Sequence, residues 1–213
     1  MTTKKTTCCL IVMVTAALLA GCGGSLSYTV DQSLIKRLPK SSRRSVFQAE
    51  TVVTIAVDQK STTKRKIDST KREIARIEER VQDLKKRQES AAAREADKIS
   101  MEIDMLWAKV SYLEDKVDHL RYVMKLRDKE MLLAKAQFEL AKVKLVKKHS
   151  IAFDGSEEDF VDQVRSLQEE VNEFRMDVEE DAADLKVSED EWLAVKKQYY
   201  SAVGESSKGW WTE

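Results

Sequence analysis

The sequence predicts an all-α protein in which a long helix is followed by a shorter antiparallel helix, the two forming a coiled-coil hairpin. Three observations carry that expectation. The 213 residues include one proline and six glycines while 35% are charged, a composition that favours long helices over ordinary mixed folds. Apolar residues recur at heptad spacing over much of the chain. No glycine or proline interrupts the chain between Pro39 and His149.

Residues 1–21 read as a signal peptide. Lys4 and Lys5 precede an uncharged run over residues 8–19, long enough for a signal and too short to span a bilayer. The run ends in Leu19-Ala20-Gly21-Cys22. This resembles the bacterial lipobox, in which a small-residue site precedes a cysteine that becomes the lipidated amino terminus. The resemblance covers residues 1–22 and implies a lipid anchor on Cys22, with the mature chain outside the cytoplasm. Gly23 stands where the inner-membrane retention signal of enterobacterial lipoproteins has an aspartate, so the same resemblance implies an outer-membrane protein facing the periplasm. A plain secretory peptide with an incidental cysteine is the alternative. Cys8 and Cys9 leave with the signal and Cys22 is consumed by the anchor, so no thiol remains for a disulfide or a metal. Apart from the covalent lipid, no cofactor is expected.

Residues 22–41 read as a flexible basic linker. Residues 23–66 hold nine Lys or Arg against three Asp or Glu, which beside a lipidated terminus suits either anionic headgroups or plain solvation. Ser41 and Ser42, after Pro39, can cap a helix. From there residues 42–100 read as a helical stalk, with heptad positions at Val46, Ala49, Val53 and Ala56 that weaken at Lys60, Thr63 and Thr70. Ile67, Ile74, Ile77, Val81 and Leu84 resume the stripe. Residues 52–57 (VVTIAV) also suit a short strand, because β-branched residues crowd there. A single amphipathic helix cannot bury its stripe alone, so the stalk needs a partner. The heptad slips between Gln88 and Ile99 across Ala91, Ala92, Ala93 and Ala96, which reads as a place where one continuous helix changes partners.

Residues 101–203 read as the hairpin, with its tip at 150–155. Ser156 with Asp159 three residues on resembles a capping box, and Gly204 is a plausible stop. Pairing the arms so that facing residue numbers sum to 305 gives layers from Leu145 with Phe160, through Leu113 with Trp192, to Ile103 with Ala202. Of the 26 positions in these layers 23 are apolar. Charge agrees: residues 121–149 carry nine basic and three acidic side chains, and 156–184 carry two basic and twelve acidic. The charged seam residues Arg127 and Asp181 fall in neighbouring layers and read either as a diagonal register pin or as side chains reaching water. At 1.5 Å per residue the arms would be about 70 Å long, with the tip pointing away from the lipid.

The first arm carries a second apolar row, Met105, Tyr112, Leu126, Leu133 and Leu140, joined by Val123, which the second arm does not match. Leu126, Leu133 and Leu140 are therefore candidates for self-association or for docking another envelope protein. Ile151 and Phe153 in the tip either cap the seam or meet a target. The tail, residues 204–213, holds Trp210 and Trp211, expected to pack on the alanine-rich slip.

No catalytic chemistry is legible. His119 and His149 lie thirty residues apart with no ligand partner at a useful spacing, and no phosphate-binding glycine loop or nucleophile elbow is present. The balanced charge gives no reason to expect nucleic acid, and long coiled coils offer no pocket for a small-molecule substrate. The expectation is a non-enzymatic, membrane-anchored scaffold or protein-interaction element. The alternative is an accessory part of an envelope transport or secretion complex that docks through the hairpin tip. In shape such a hairpin is similar to those of periplasmic adaptors of export channels, but this chain lacks room for their other domains and lacks their arginine-leucine-serine tip motif.

Overall fold

The computed structural model describes residues 26–204, so the expected signal, Cys22, Trp210 and Trp211 lie outside the described residues. Helix is the only regular secondary structure among them. A short α1 (Gln32–Lys36) and a 3-10 turn (Lys40–Arg43) lead into three long helices, α2 (Arg44–Ser90), α3 (Ala93–Lys148) and α4 (Glu157–Ala202). Residues 52–57 are helical, not a strand. The helical period puts Ala56 in the core and Val53 half in it, and that burial outweighs the β-branched preference.

The stalk differs from the continuous helix expected. The chain leaves the helix at Ala91 and Ala92 and starts a new one at Ala93. Neither glycine nor proline is needed, because the break satisfies its own polar groups. The Ala91 amide donates to the Gln88 carbonyl at 3.2 Å, and the Ala92 carbonyl accepts from Glu95 and Ala96, each at 2.9 Å. Gln88 Nε2 closes the turn on the Ala96 carbonyl at 3.3 Å.

The described chain divides into two compact units. One joins residues 57–127 to the chain from Glu170 onward. There α2 runs back along α3: Glu73 pairs with Lys109 at 2.8 Å and Arg80 with Glu102 at 2.5 Å, positions falling on one helix as they rise on the other. Ile77, Val81 and Leu84 share a core with Ile99, Ile103, Leu106, Val110, Tyr112 and Leu113, and Ile67 packs with Val117 and Leu120. The stripe expected to need an outside partner is covered by the chain itself. The weak heptad positions Thr63 and Thr70 are buried as well, their hydroxyls donating to Gln59 and Lys66 carbonyls one turn back at 3.1 and 3.0 Å. Toward α4, Tyr112 stacks on Trp192 with centroids 5.4 Å apart, and Ser188 Oγ donates to Asp115 at 2.5 Å.

The other unit joins the chain up to Ala56 to Asp128–Glu169. Its core combines Val30, Ile35, Leu38 and Val46 with Val143, Leu145, Val146 and Phe160. Ser156 Oγ accepts the Glu158 amide at 3.2 Å, and Glu157, Glu158 and Asp159 fill the first turn of α4, where the helix dipole favours them.

Candidate functional site

Residues 27–38, expected to be part of a flexible linker, form a strap held on the unit that contains the α3–α4 loop. Three apolar anchors, Val30, Ile35 and Leu38, are buried. Their irregular spacing matches neither helix nor strand, so periodicity does not reveal them. Side chains supply the hydrogen bonds that a sheet would otherwise give the backbone ahead of α1. Gln163 Oε1 accepts the Ser27 and Tyr28 amides at 2.8 and 3.1 Å. Tyr28 leans on Phe160, ring centroids 5.7 Å apart.

The firmest tie is at Val30. Its amide donates to Glu139 Oε2 at 2.7 Å and its carbonyl accepts from Lys142 Nζ at 3.0 Å. Glu139 and Lys142 also bond each other at 2.6 Å, with side chains only 10% and 4% exposed. Three residues apart on α3, they face the same way, so one ion pair satisfies both polar groups of one strap residue. Lys142 also lies 4.8 Å from the centre of the Phe138 ring. In sequence the two residues read as part of a charged helix face. Only the unexpected strap makes them a buried pair.

Within the strap, Asp31 caps α1 through the Ser33 amide at 2.8 Å, and this bond holds its carboxyl below the usual carboxylate range. Arg43 Nε donates to the Leu38 carbonyl at 2.8 Å and its Nη2 to the Lys36 carbonyl at 2.7 Å, locking the turn into α2.

The tip residues Ile151 and Phe153 are half-buried against the core, and Phe153 meets Phe160 edge-on at 6.5 Å. Gly155 lies between these two rings with φ +136°, where an added Cβ would sit 3.5 Å from Phe153 and 3.6 Å from Phe160. Lys147 bonds Glu157 at 2.7 Å across the loop, which lowers the Glu157 pKa. A cavity of about 410 Å³ opens between strap and loop, lined by Thr29, Val30, Asp31, Leu34, Ala152, Phe153 and Asp154.

The remaining sequence candidates are placed differently from expectation. Leu126 and Leu133 are buried at 6% and 8% exposure, and Leu140 is half-buried against the core. The second apolar row is therefore not an open face. Asp181 takes His119 as a partner, Oδ2 to Nδ1 at 2.6 Å, rather than serving only a diagonal with Arg127. Asp115, Asp118, Asp181 and Asp184 line a second cavity of about 240 Å³ with Leu185. Three of these carboxylates are engaged, by Ser188, Arg121 and His119. Among the described residues no group of three or more His, Cys, Asp or Glu is placed to hold a metal ion. No described helix is long and apolar enough to cross a membrane. Comparisons with protein-family models, with characterised proteins and with solved structures find no match for this chain, which leaves the site to be read from its own chemistry.

Proposed function

We propose that this chain is an envelope lipoprotein, anchored through lipid on Cys22, whose coiled-coil hairpin serves as a structural or protein-interaction element in the periplasm on the outer membrane. The observation that carries the reading is the strap. The lipobox-like Leu19-Ala20-Gly21-Cys22 ends four residues before Leu26, and the backbone is bonded to α4 at Ser27 and to α3 at Val30. A load on the anchor would reach the helices almost directly. Four residues of extended chain reach at most about 14 Å. On this reading the anchor lies within that reach of the strap, near the α3–α4 loop.

The role proposed is non-catalytic, since the buried charges at the strap are committed to its backbone. Self-association through Leu126 and Leu133 is not part of the proposal, because both are buried within the chain. A second reading, docking of an envelope transport or secretion component at the loop, is favoured by the cavity between strap and loop. Fractionation of cells expressing the wild type and a Cys22→Ser variant exported on a conventional cleavable signal tests the first reading: the wild type should stay with the membrane through a high-salt wash and the variant should be released by it. Equal solubility of both would refute the anchor. Ala152→Arg, which fills the cavity mouth, separates the second reading, since a docking partner would be lost while membrane fractionation stayed unchanged.

A further inference from the structure

The first three turns of α2 leave one face uncovered. Taking 100° per residue, Phe47, Thr51, Arg44, Ile55, Gln48 and Val52 fall within one sector, opposite the buried Val46 and bordered by the buried Ala56. On that face Phe47, Val52 and Ile55 are 51%, 47% and 50% exposed, although all three are large and apolar. The stretch from Gln32 to Ala49, which runs into this face, carries five Lys or Arg and no Asp or Glu, and the exposed Glu50 that follows lies outside the sector. Lys36, Arg37, Lys40 and Arg44 in this stretch are exposed. Two nearby acids are already engaged, Asp31 with Ser33 and Glu157 with Lys147. A helix face that is apolar in the middle and cationic at its start is the chemistry of a segment lying in the interface of an anionic bilayer.

We infer that Lys36, Arg37, Lys40 and the Phe47–Val52–Ile55 face of α2 form a second membrane contact, which lays the start of α2 on an anionic lipid surface. The inference rests on the anchor reading for its geometry. Cys22 lies fourteen residues before Lys36, and the strap between them is fixed to the same core that Ile35, Leu38 and Val46 enter. A lipid on Cys22 would hold this part of the chain close to the bilayer.

The test removes the anchor. The mature chain from position 22, carrying Cys22→Ser, is mixed with vesicles of phosphatidylcholine alone or with added phosphatidylglycerol, and flotation is measured at low and high salt. Salt-sensitive flotation only with phosphatidylglycerol is expected. Lys36→Glu, Arg37→Glu and Lys40→Glu together should weaken it by about a hundredfold or more, at roughly fivefold per cation lost. Phe47→Gln with Ile55→Gln should weaken it by about tenfold with helicity unchanged. Absence of flotation by a helical Cys22→Ser chain would overturn the inference. So would a dimer in light scattering that Phe47→Gln with Ile55→Gln makes monomeric while flotation stays the same, since a second copy would then cover the face. Lipid analysis of wild-type Cys22 keeps the two readings apart. Unmodified Cys22 alongside phosphatidylglycerol-dependent flotation fails the anchor and supports the contact.

Discussion

Lys142→Met tests how the strap is held. The substitution keeps the length of the side chain and removes its ammonium. Glu139, 10% exposed, is then left facing only the Val30 amide at 2.7 Å. Removing one partner of a buried ion pair costs about 3–5 kcal/mol, and the Val30 carbonyl also loses a partner worth about 1 kcal/mol. The strap's attachment limits that penalty, because peeling away lets water reach Glu139. Two readouts together therefore define the effect, urea unfolding and hydrogen exchange at the Val30 amide. The expected result is a loss of at least about 2 kcal/mol, or collapse of Val30 protection while α3 stays protected. Glu139→Leu with Lys142→Met should recover about half of the loss, since no ion is left buried. A single variant within about 0.5 kcal/mol of wild type, with Val30 still protected, would refute the buried-pair reasoning.

Other expectations follow from the same structure. Leu126→Ala or Leu133→Ala should cost about 2–5 kcal/mol in urea unfolding without changing the mass in light scattering, because both fill a core within one chain. Gly155→Ala should cost about 1–3 kcal/mol, since φ +136° strains any other residue, and loss of the loop's amide protection would report it. Asp31 and Glu157 have pKa values lowered by Ser33 and by Lys147 respectively, so their contributions are present above the unfolded carboxylate range and vanish as pH falls through the folded values. Thermal stability should therefore fall between about pH 5 and pH 3, less steeply in Asp31→Asn with Glu157→Gln than in wild type.

The helical class was legible because composition and heptad spacing point the same way along most of the chain. Leu145 and Phe160 do share a core, and Trp192 does pack against the one that holds Leu113. The reversal at Ala91 and Ala92 was not legible as a turn, because alanine is the best helix former and the residues that end the helix do so through Gln88 and backbone bonds. The discontinuity in the heptad was visible there, but its consequence was not. Missing that turn hid the partner of Ile67, Ile77 and Val81, and it made the row through Leu126 and Leu133 look open. The strap escaped for a different reason. Val30, Ile35 and Leu38 have no period, and the strap's hydrogen bonds reach more than a hundred residues away, from Val30 to Glu139 and Lys142 and from Tyr28 to Gln163. Long-range pairing of an irregular segment leaves no local signature.

The lipid proposed on Cys22 would enter the membrane beside a strap fixed to the helices. Mass spectrometry of the amino-terminal peptide of the membrane-extracted protein tests this. The expected peptide begins at Cys22, ends at Lys36 and carries a diacylglyceryl group. An unmodified cysteine, or a peptide that reads through from Ala20 across Cys22, would contradict it.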